Sequence, residues 1–332
     1  MARGRRVRRG LPEAAGLSNS VRGGGDPVFA SLKRKDKLAR ELPLYFMLLP
    51  AVVLVAVYSY GSMAGVIIAF QKFIPARGLF GHQQWVGFKN FATLFSMPNI
   101  GTVIRNTVVI ALSKMVAGVI VPVAFALLLN EVRSLLTKRI FQTVVYLPHF
   151  LSWVILSGIL INLLSPSEGF VNILLAKLGI EPIFFLGNPD AFPATMVASD
   201  IWKSFGFGSV IYLAALTGID PALYEAAVID GANRWRQTWH ITLPGISSIV
   251  VLMSVLGLAN ILNGGFDQIY NMYSPVVYST GDILDTFVFR LGIEQAQYSL
   301  STAAGLFKSG VSMIFIVASY YLADKFTGYK VF

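Results

Sequence analysis

Residues 225–244 read Glu-Ala-Ala-Val-Ile-Asp-Gly-Ala-Asn-Arg-Trp-Arg-Gln-Thr-Trp-His-Ile-Thr-Leu-Pro, a polar island between apolar stretches. One acidic side chain, Glu225, stands there beside two small residues, Ala226 and Ala227. That composition suits a charge-assisted contact with a basic group on a closely applied surface. A second set lies in or beside the apolar stretches: Trp153, Asn162, Lys203, Asn260, Asn263, Asp267, Tyr270 and Tyr273, with Asp200, Trp202, Phe205 and Phe207 nearby. Polar groups at such places are costly in hydrocarbon, so they face a cavity or another helix. Aromatic faces with Asn and Asp beside them suit a sugar, whose apolar ring faces stack while its hydroxyls hydrogen-bond. For any one of these residues the favoured reading is plainer, an interhelical hydrogen bond or an interfacial anchor. Lys203 is the sharpest of them, because an uncompensated cation in a span draws an acidic ligand. Asp200, three residues earlier on one helical face, is its expected partner.

Bond-making chemistry has no matching constellation. The three histidines, His82, His149 and His240, are far apart and lack metal-ligand spacing, so no metal site is expected. Cys is absent, which excludes thiolate chemistry and a disulfide framework but leaves the compartment undecided. Lys203-Ser204 and Lys308-Ser309 both lack the glycine of a phosphate-binding loop, so ATP must be bound elsewhere. No elbow-type serine motif occurs either.

The elements that position these residues are membrane spans. The chain has 332 residues, 55% hydrophobic and 13% charged, where a soluble domain carries about a quarter charged residues. Apolar runs of about 18 or more residues are read as spans, and in lipid they must be helices. Six are predicted: about Leu44–Phe70, Asn106–Leu129, Val144–Leu164, Phe192–Thr217, Ile246–Leu262 and Ala303–Ala323. Pro50 is expected to kink the first or mark its interfacial start. Gly61-x-x-x-Gly65 within it is a weak close-packing signal, read as packing inside the subunit.

Charge sets the orientation. Residues 1–43 form a basic tail with eleven Lys or Arg, ahead of the membrane-spanning region 44–332. With the N-terminus inside, the inner segments hold 18 Lys or Arg and the longer outer loops hold six. The positive-inside rule then puts both termini and residues 218–245 in the cytoplasm. Beside a span, the tail reads as a topology signal and an attraction to anionic lipid, not as a nucleic-acid site. Its Gly23-Gly24-Gly25 run predicts disorder, and residues 31–42 a short interfacial helix. The leader is too long and basic for a signal peptide. Outer loops 71–105, 165–191 and 263–302 are long enough to dock a partner or cap a pathway.

Locally, Asp220-Pro221 predicts a helix start, with Asp accepting from an orphan N–H and Pro giving up no needed donor. Gly231 predicts its stop by tolerating positive φ. Asn233 to His240 is expected to add a second helical turn or two, and Pro244 to open the fifth span. The island also matches the pattern Glu-Ala-Ala, three residues, Gly, nine residues, Ile-x-Leu-Pro. In this the chain resembles the membrane subunits of ABC importers. Tyr146-Leu147-Pro148, Asn106-Thr107 and Phe266-Asp267-Gln268-Ile269-Tyr270-Asn271 resemble the carbohydrate-type permeases. The last of these and the closing Tyr329-Lys330 are similar to the branch that takes up polysaccharide fragments and larger oligosaccharides. The likeness covers about residue 40 to the end, and the longer, more basic tail departs from it.

That resemblance implies an all-α polytopic fold with six transmembrane helices, the type I importer permease fold, in a bacterial inner membrane. It implies a coupling helix seated in a cleft of an ATPase subunit. There Glu225 would meet a basic residue, Ala226, Ala227 and Ala232 would pack, and Asp230 and Gly231 would shape the turn. Ile241, Leu243 and Pro244 would close the motif. The implied partners are a second permease subunit, two ATPase subunits that carry ATP and Mg, an external solute-binding protein, and an oligosaccharide, neutral or acidic (alginate- or uronide-type). The chain itself would be no enzyme and hold no cofactor. A secondary transporter or channel also fits six spans, but it needs no docking loop. An importer permease for amino acids or phosphate is disfavoured by residues 266–271.

Overall fold

The computed structural model describes residues 27–79, 81–259 and 261–327. Asn260, the tail before Pro27 with its expected disorder, and Tyr329-Lys330 lie outside them. The chain divides into two units, residues 1–63 and 64–332.

In the first unit, helix α1 (Pro27–Val55) is followed by a five-residue π turn, Ala56–Tyr60. Residues 31–42 belong to this helix, so the short separate helix expected there is continuous with the first span. Both Pro43 and Pro50 lie inside it. Pro50 removes one donor without ending the helix, since hydrocarbon offers the remaining backbone groups no other partner.

The second unit opens with a 3₁₀ turn, Ala64–Phe70, and a small antiparallel ribbon, β1 (Gln71–Lys72) and β2 (Gln84–Trp85), pairing Gln71 with Trp85 and Lys72 with Gln84. Its helices are α2 (Lys89–Ser96), α3 (Ile100–Glu131), α4 (Leu135–Tyr146), α5 (Trp153–Leu163), α6 (Phe170–Lys177), α7 (Phe192–Leu216), α8 (Pro221–Ile229), α9 (Arg234–Gln237), α10 (Leu243–Ala259), α11 (Phe266–Met272), α12 (Leu284–Phe289) and α13 (Tyr298–Thr327).

Among the described residues, four helical runs are long and apolar enough to cross a membrane: Glu41–Phe70, Ile100–Glu131, Arg234–Ala259 and Tyr298–Leu322. Counting each bent pair as one span gives up to six, the pairs being Leu135–Phe150 with Trp153–Leu163 at 106°, and Phe192–Leu216 with Pro221–Ile229 at 75°. The third span therefore departs from expectation. Instead of one helix over 144–164, the chain turns sharply at Leu147–Ser152. Pro148 cannot supply an N–H, a 3₁₀ turn takes residues 147–150, and Ser152 caps a fresh helix by accepting from Ile155 N–H at 3.3 Å. Elsewhere the edges shift, most for the fifth span, whose helical run starts at Arg234 and not at Ile246. The second span begins earlier, at Ile100, and the sixth at Tyr298.

Three apolar clusters hold the unit together. One joins Ile110, Leu156, Phe192, Met196, Ile269 and Ile283, with Trp153 and Tyr273 packed on its margin. A second runs from Leu94 and Val103 to Leu284 and Ala304, and a third joins Ala126, Tyr212 and Ile246. Close crossings are set by missing side chains. A Cβ on Gly206 would stand 2.5 Å from the Val145 carbonyl, so only glycine lets α7 cross α4 there.

Candidate functional site

The polar island folds from local rules. The Asp220 carboxylate accepts from Ala222 N–H at 2.9 Å and Pro221 takes the first helical position, starting α8. Gly231 ends it with φ +74°. Ala232 N–H reaches the Ala227 carbonyl at 2.9 Å and Gly231 N–H the Val228 carbonyl at 3.1 Å, the paired bonds of a Schellman closure. Asn233 then caps α9 by accepting from Arg236 N–H at 2.9 Å. The nine-residue arm is about 14 Å long at 1.5 Å per residue. Pro244 does not open the fifth span as expected. One helical run passes from Arg234 to Ala259, widening into a π turn over Thr238–Thr242 just before the proline. The wider turn absorbs the donor that Pro244 lacks.

Glu225, Ala226 and Asp230 are exposed, Ala227 and Ala232 half-buried, and so are Ile241 and Leu243. Glu225 lines a cleft of about 590 Å³ with Glu131, Tyr224, Val228, Arg234 and Gln237. Arg234 bonds Glu131 across it at 2.7 Å, and the Tyr224 and Thr242 hydroxyls share a hydrogen bond of 3.0 Å. Val228, Ile229, Trp235 and Trp239 are exposed beside it, the two indoles stacked at 6.2 Å.

Midway along the spans lies a polar seam. Lys114 of α3 donates to the Gly264 carbonyl at 2.9 Å and to Gln268 Oε1, and stands 3.7 Å from Asp200 of α7. Gln268, fully buried, donates to the Met196 carbonyl at 2.7 Å and the Ser199 hydroxyl at 2.8 Å. Asp200 thus finds its carboxylate–ammonium contact in Lys114, not in Lys203 as the helical spacing suggested. Lys203 instead reaches the broken third span. Its ammonium donates to the Leu151 carbonyl at 2.7 Å and the His149 carbonyl at 2.8 Å, with Pro148 O at 3.4 Å, and sits 5.5 Å from the Trp153 ring. These carbonyls lie where the helix ends, and that of Pro148 already accepts from Leu151 N–H at 3.2 Å.

The other expected residues separate into groups. Asp267, Tyr270 and Tyr273 stand on or just beyond α11, where Phe266, Tyr270, Tyr273 and Tyr278 follow one another at ring separations of 5.2, 5.9 and 5.1 Å. Asp267 and Tyr270 are exposed; burial raises the Tyr273 phenol well above its ordinary range. Asn263 lines a separate cavity of about 680 Å³, with Phe266 and the Asp285–Lys308 ion pair. Asn162 only bonds the Gly158 carbonyl of its own helix, at 2.9 Å. Trp202 faces an apolar cleft with Leu160 and Ile183, while Phe205 packs edge-on against Phe125. Phe207 stacks on His149 at 4.2 Å.

Sequence reasoning missed Lys114, Gln268 and the pair Asp282–Arg290. Asp282 is buried, accepts from the Thr286 hydroxyl at 2.8 Å, and holds an Arg290 that lies 4.3 Å over the Tyr278 ring. Gln268 stood inside the stretch singled out at 266–271, and Lys114 inside a span, so both signals were available.

Residues 115–327 match the family model described as binding-protein-dependent transport system inner membrane component. The chain belongs to this family. The permease is 40% identical over 302 residues to the polygalacturonan/rhamnogalacturonan transport system permease protein YteP of Bacillus subtilis (strain 168), across 90% of this chain and 94% of that relative. It is 42% identical over 289 residues to protein LplB of the same organism, across 87% and 91%. It also resembles a crystal structure of a bacterial ABC transporter involved in the import of the acidic polysaccharide alginate. There the TM-score is 0.81 at 37% identity, with 89% of this chain and 99% of that chain covered. A crystal structure of a bacterial alginate ABC transporter in complex with an alginate pentasaccharide-bound periplasmic protein gives 0.79 and 37%, covering 88% and 97%. The permease is therefore an all-α, multi-pass inner-membrane subunit of a binding-protein-dependent ABC importer, from a family that transports and does not catalyse. The secondary-transporter reading falls with that membership.

Proposed function

We propose that the permease carries oligosaccharide fragments of an acidic polysaccharide inward, as half of a paired permease driven by two ATPase subunits. An external solute-binding protein hands the sugar to the outer loops. Both termini lie in the cytoplasm. The observation that carries the substrate is the likeness, over about nine-tenths of the chain, to permeases of a galacturonan system and of an alginate importer. The seam of Lys114, Asp200 and Gln268 beside the aromatic row of α11 agrees with it, since sugars need both ring faces and hydrogen-bonding groups.

For coupling, α8 offers Glu225 with the small residues Ala226 and Ala227, and Gly231 lets the chain turn back within one residue. An ATPase subunit seats there, and a basic residue of that subunit pairs with Glu225. Ala226, Ala227 and Ala232 allow close approach, Asp230 and Gly231 shape the turn, and Ile241, Leu243 and Pro244 join it to the fifth span. ATP closes the ATPase pair, the two coupling helices move together, and the cavity turns outward.

The test is uptake by proteoliposomes holding this permease, its partner permease, the ATPase and the binding protein. ATP-dependent entry of labelled galacturonate or alginate oligomers is expected. Entry of amino acid or phosphate in their place, or sugar entry with the ATPase omitted, overturns the reading.

A further inference from the structure

Three lysines lie within the spans: Lys114, Lys203 and Lys308. Lys114 stands against Asp200 and Lys308 against Asp285. Among the described residues, Lys203 is the one of the three with no carboxylate within 4.0 Å. It is the twelfth of the 25 residues of α7, so its charge sits about 17 Å from one end and 20 Å from the other. A cation at that depth is expensive, and Asp200, which acts on it from beyond 4.0 Å, is itself in contact with Lys114.

Its surroundings are built to hold it there. Broken helices at membrane depth occur only where they are covered by protein or line a wet cavity, and here the break supplies the acceptors. An ammonium has three donors. Two are spent at 2.7 and 2.8 Å on Leu151 and His149 carbonyls, while the third contact, to Pro148, is a long 3.4 Å. One donor is thus weakly used. Around the cation stand aromatic faces: Trp153 at 5.5 Å, and the stacked His149 and Phe207, with Phe150 edge-on to both. Phe207 and Phe150 are 47% and 72% exposed, so this platform is open on one side.

We infer that Lys203 reads the carboxylate of a uronic-acid unit as it passes mid-membrane, while the aromatic platform takes the ring face. A carboxylate replaces the weak Pro148 contact with a charge-assisted bond and supplies a counter-charge in direct contact, which Asp200 does not. The carbonyls of the broken span keep the ammonium in place between passages. Lys203 is thus a specificity residue of the pathway, and the assignment rests on the oligosaccharide reading above.

The experiment compares wild type, Lys203→Arg and Lys203→Gln in the reconstituted complex, measuring uptake of a galacturonate oligomer and ATP hydrolysis stimulated by its loaded binding protein. Lys203→Gln is expected to raise KM for uptake by about tenfold to a hundredfold. Stimulated hydrolysis stays close to wild type, and Lys203→Arg recovers most of the uptake. Equal uptake by Lys203→Gln and wild type overturns the assignment and leaves the function standing. So does a parallel loss of uptake and stimulated hydrolysis, the result if the partner permease supplies the counter-charge or the lysine only props the broken span. A wild-type complex that takes up no uronic oligomer overturns the parent reading, and this assignment with it.

Discussion

The Lys114 side chain is about one-tenth exposed and touches three elements at once: α7 through Asp200, the Gly264 carbonyl, and α11 through Gln268. Removing one partner of such a pair leaves the other charge buried and unpaired, which costs about 3–5 kcal/mol. Lys114→Met will therefore lower the melting temperature of the detergent-solubilised permease well beyond an exposed control such as Arg133→Met. The double change Lys114→Met with Asp200→Leu will recover part of the loss, because no lone charge then remains. A melting temperature unchanged by Lys114→Met would mean that the seam is wet and carries no weight. This is also the scale at which the sequence was least informative. Helical spacing pointed Asp200 at Lys203, since three residues along one face is the contact visible locally. The partner found lies on another span, and the Gly264 contact spans 150 residues. Nothing in local spacing encodes a choice between two lysines made by tertiary packing.

Elements whose form rests on neighbouring residues were legible. The Asp220 cap, Pro221 at the first helical position and Gly231 at the stop each satisfy or spare an orphan backbone group within a few residues. The 106° bend of the third span was hidden, because the apolar run continues through it and Pro148 alone does not say how far the chain turns. Gly231 carries the prediction at this scale. At φ +74° a β-branched side chain is strained by about 1–2 kcal/mol, yet no heavy atom stands within 4 Å of the Cβ position. Gly231→Val will therefore leave membrane insertion and expression near wild type while transport per ATP hydrolysed falls severalfold. Gly231→Asn, which tolerates the left-handed region, will keep most of the coupling. Transport unchanged in the valine variant would show that the turn has no part in docking.

For the whole molecule, the apolar runs, their number and the family were legible from the chain alone, because burial in lipid demands long continuous helices and those leave a strong compositional trace. Which helix faces a pathway and which faces lipid leaves no such trace, and so the candidate residues scattered: Trp153 and Lys203 came together, Asn162 and Trp202 turned away. Orientation belongs to this scale as well. Single cysteines placed at Ser134, Asn233 and Lys325 in this cysteine-free chain are expected to be labelled by an impermeant maleimide only after the inner face is opened. One at Gln84 or Glu181 is expected to react from outside. Labelling of position 233 in sealed, right-side-out vesicles would invert the topology and remove the coupling reading.

The run from Arg234 to Ala259 is continuous, 26 residues or about 39 Å. Such a strut has high axial stiffness, so a shove at the stacked indoles of Trp235 and Trp239 reappears at its far end, four residues before Asn263. Its one compliant joint is the wide turn at Thr238–Thr242. On the coupling reading proposed above, stroke length is lost within five residues of where it enters.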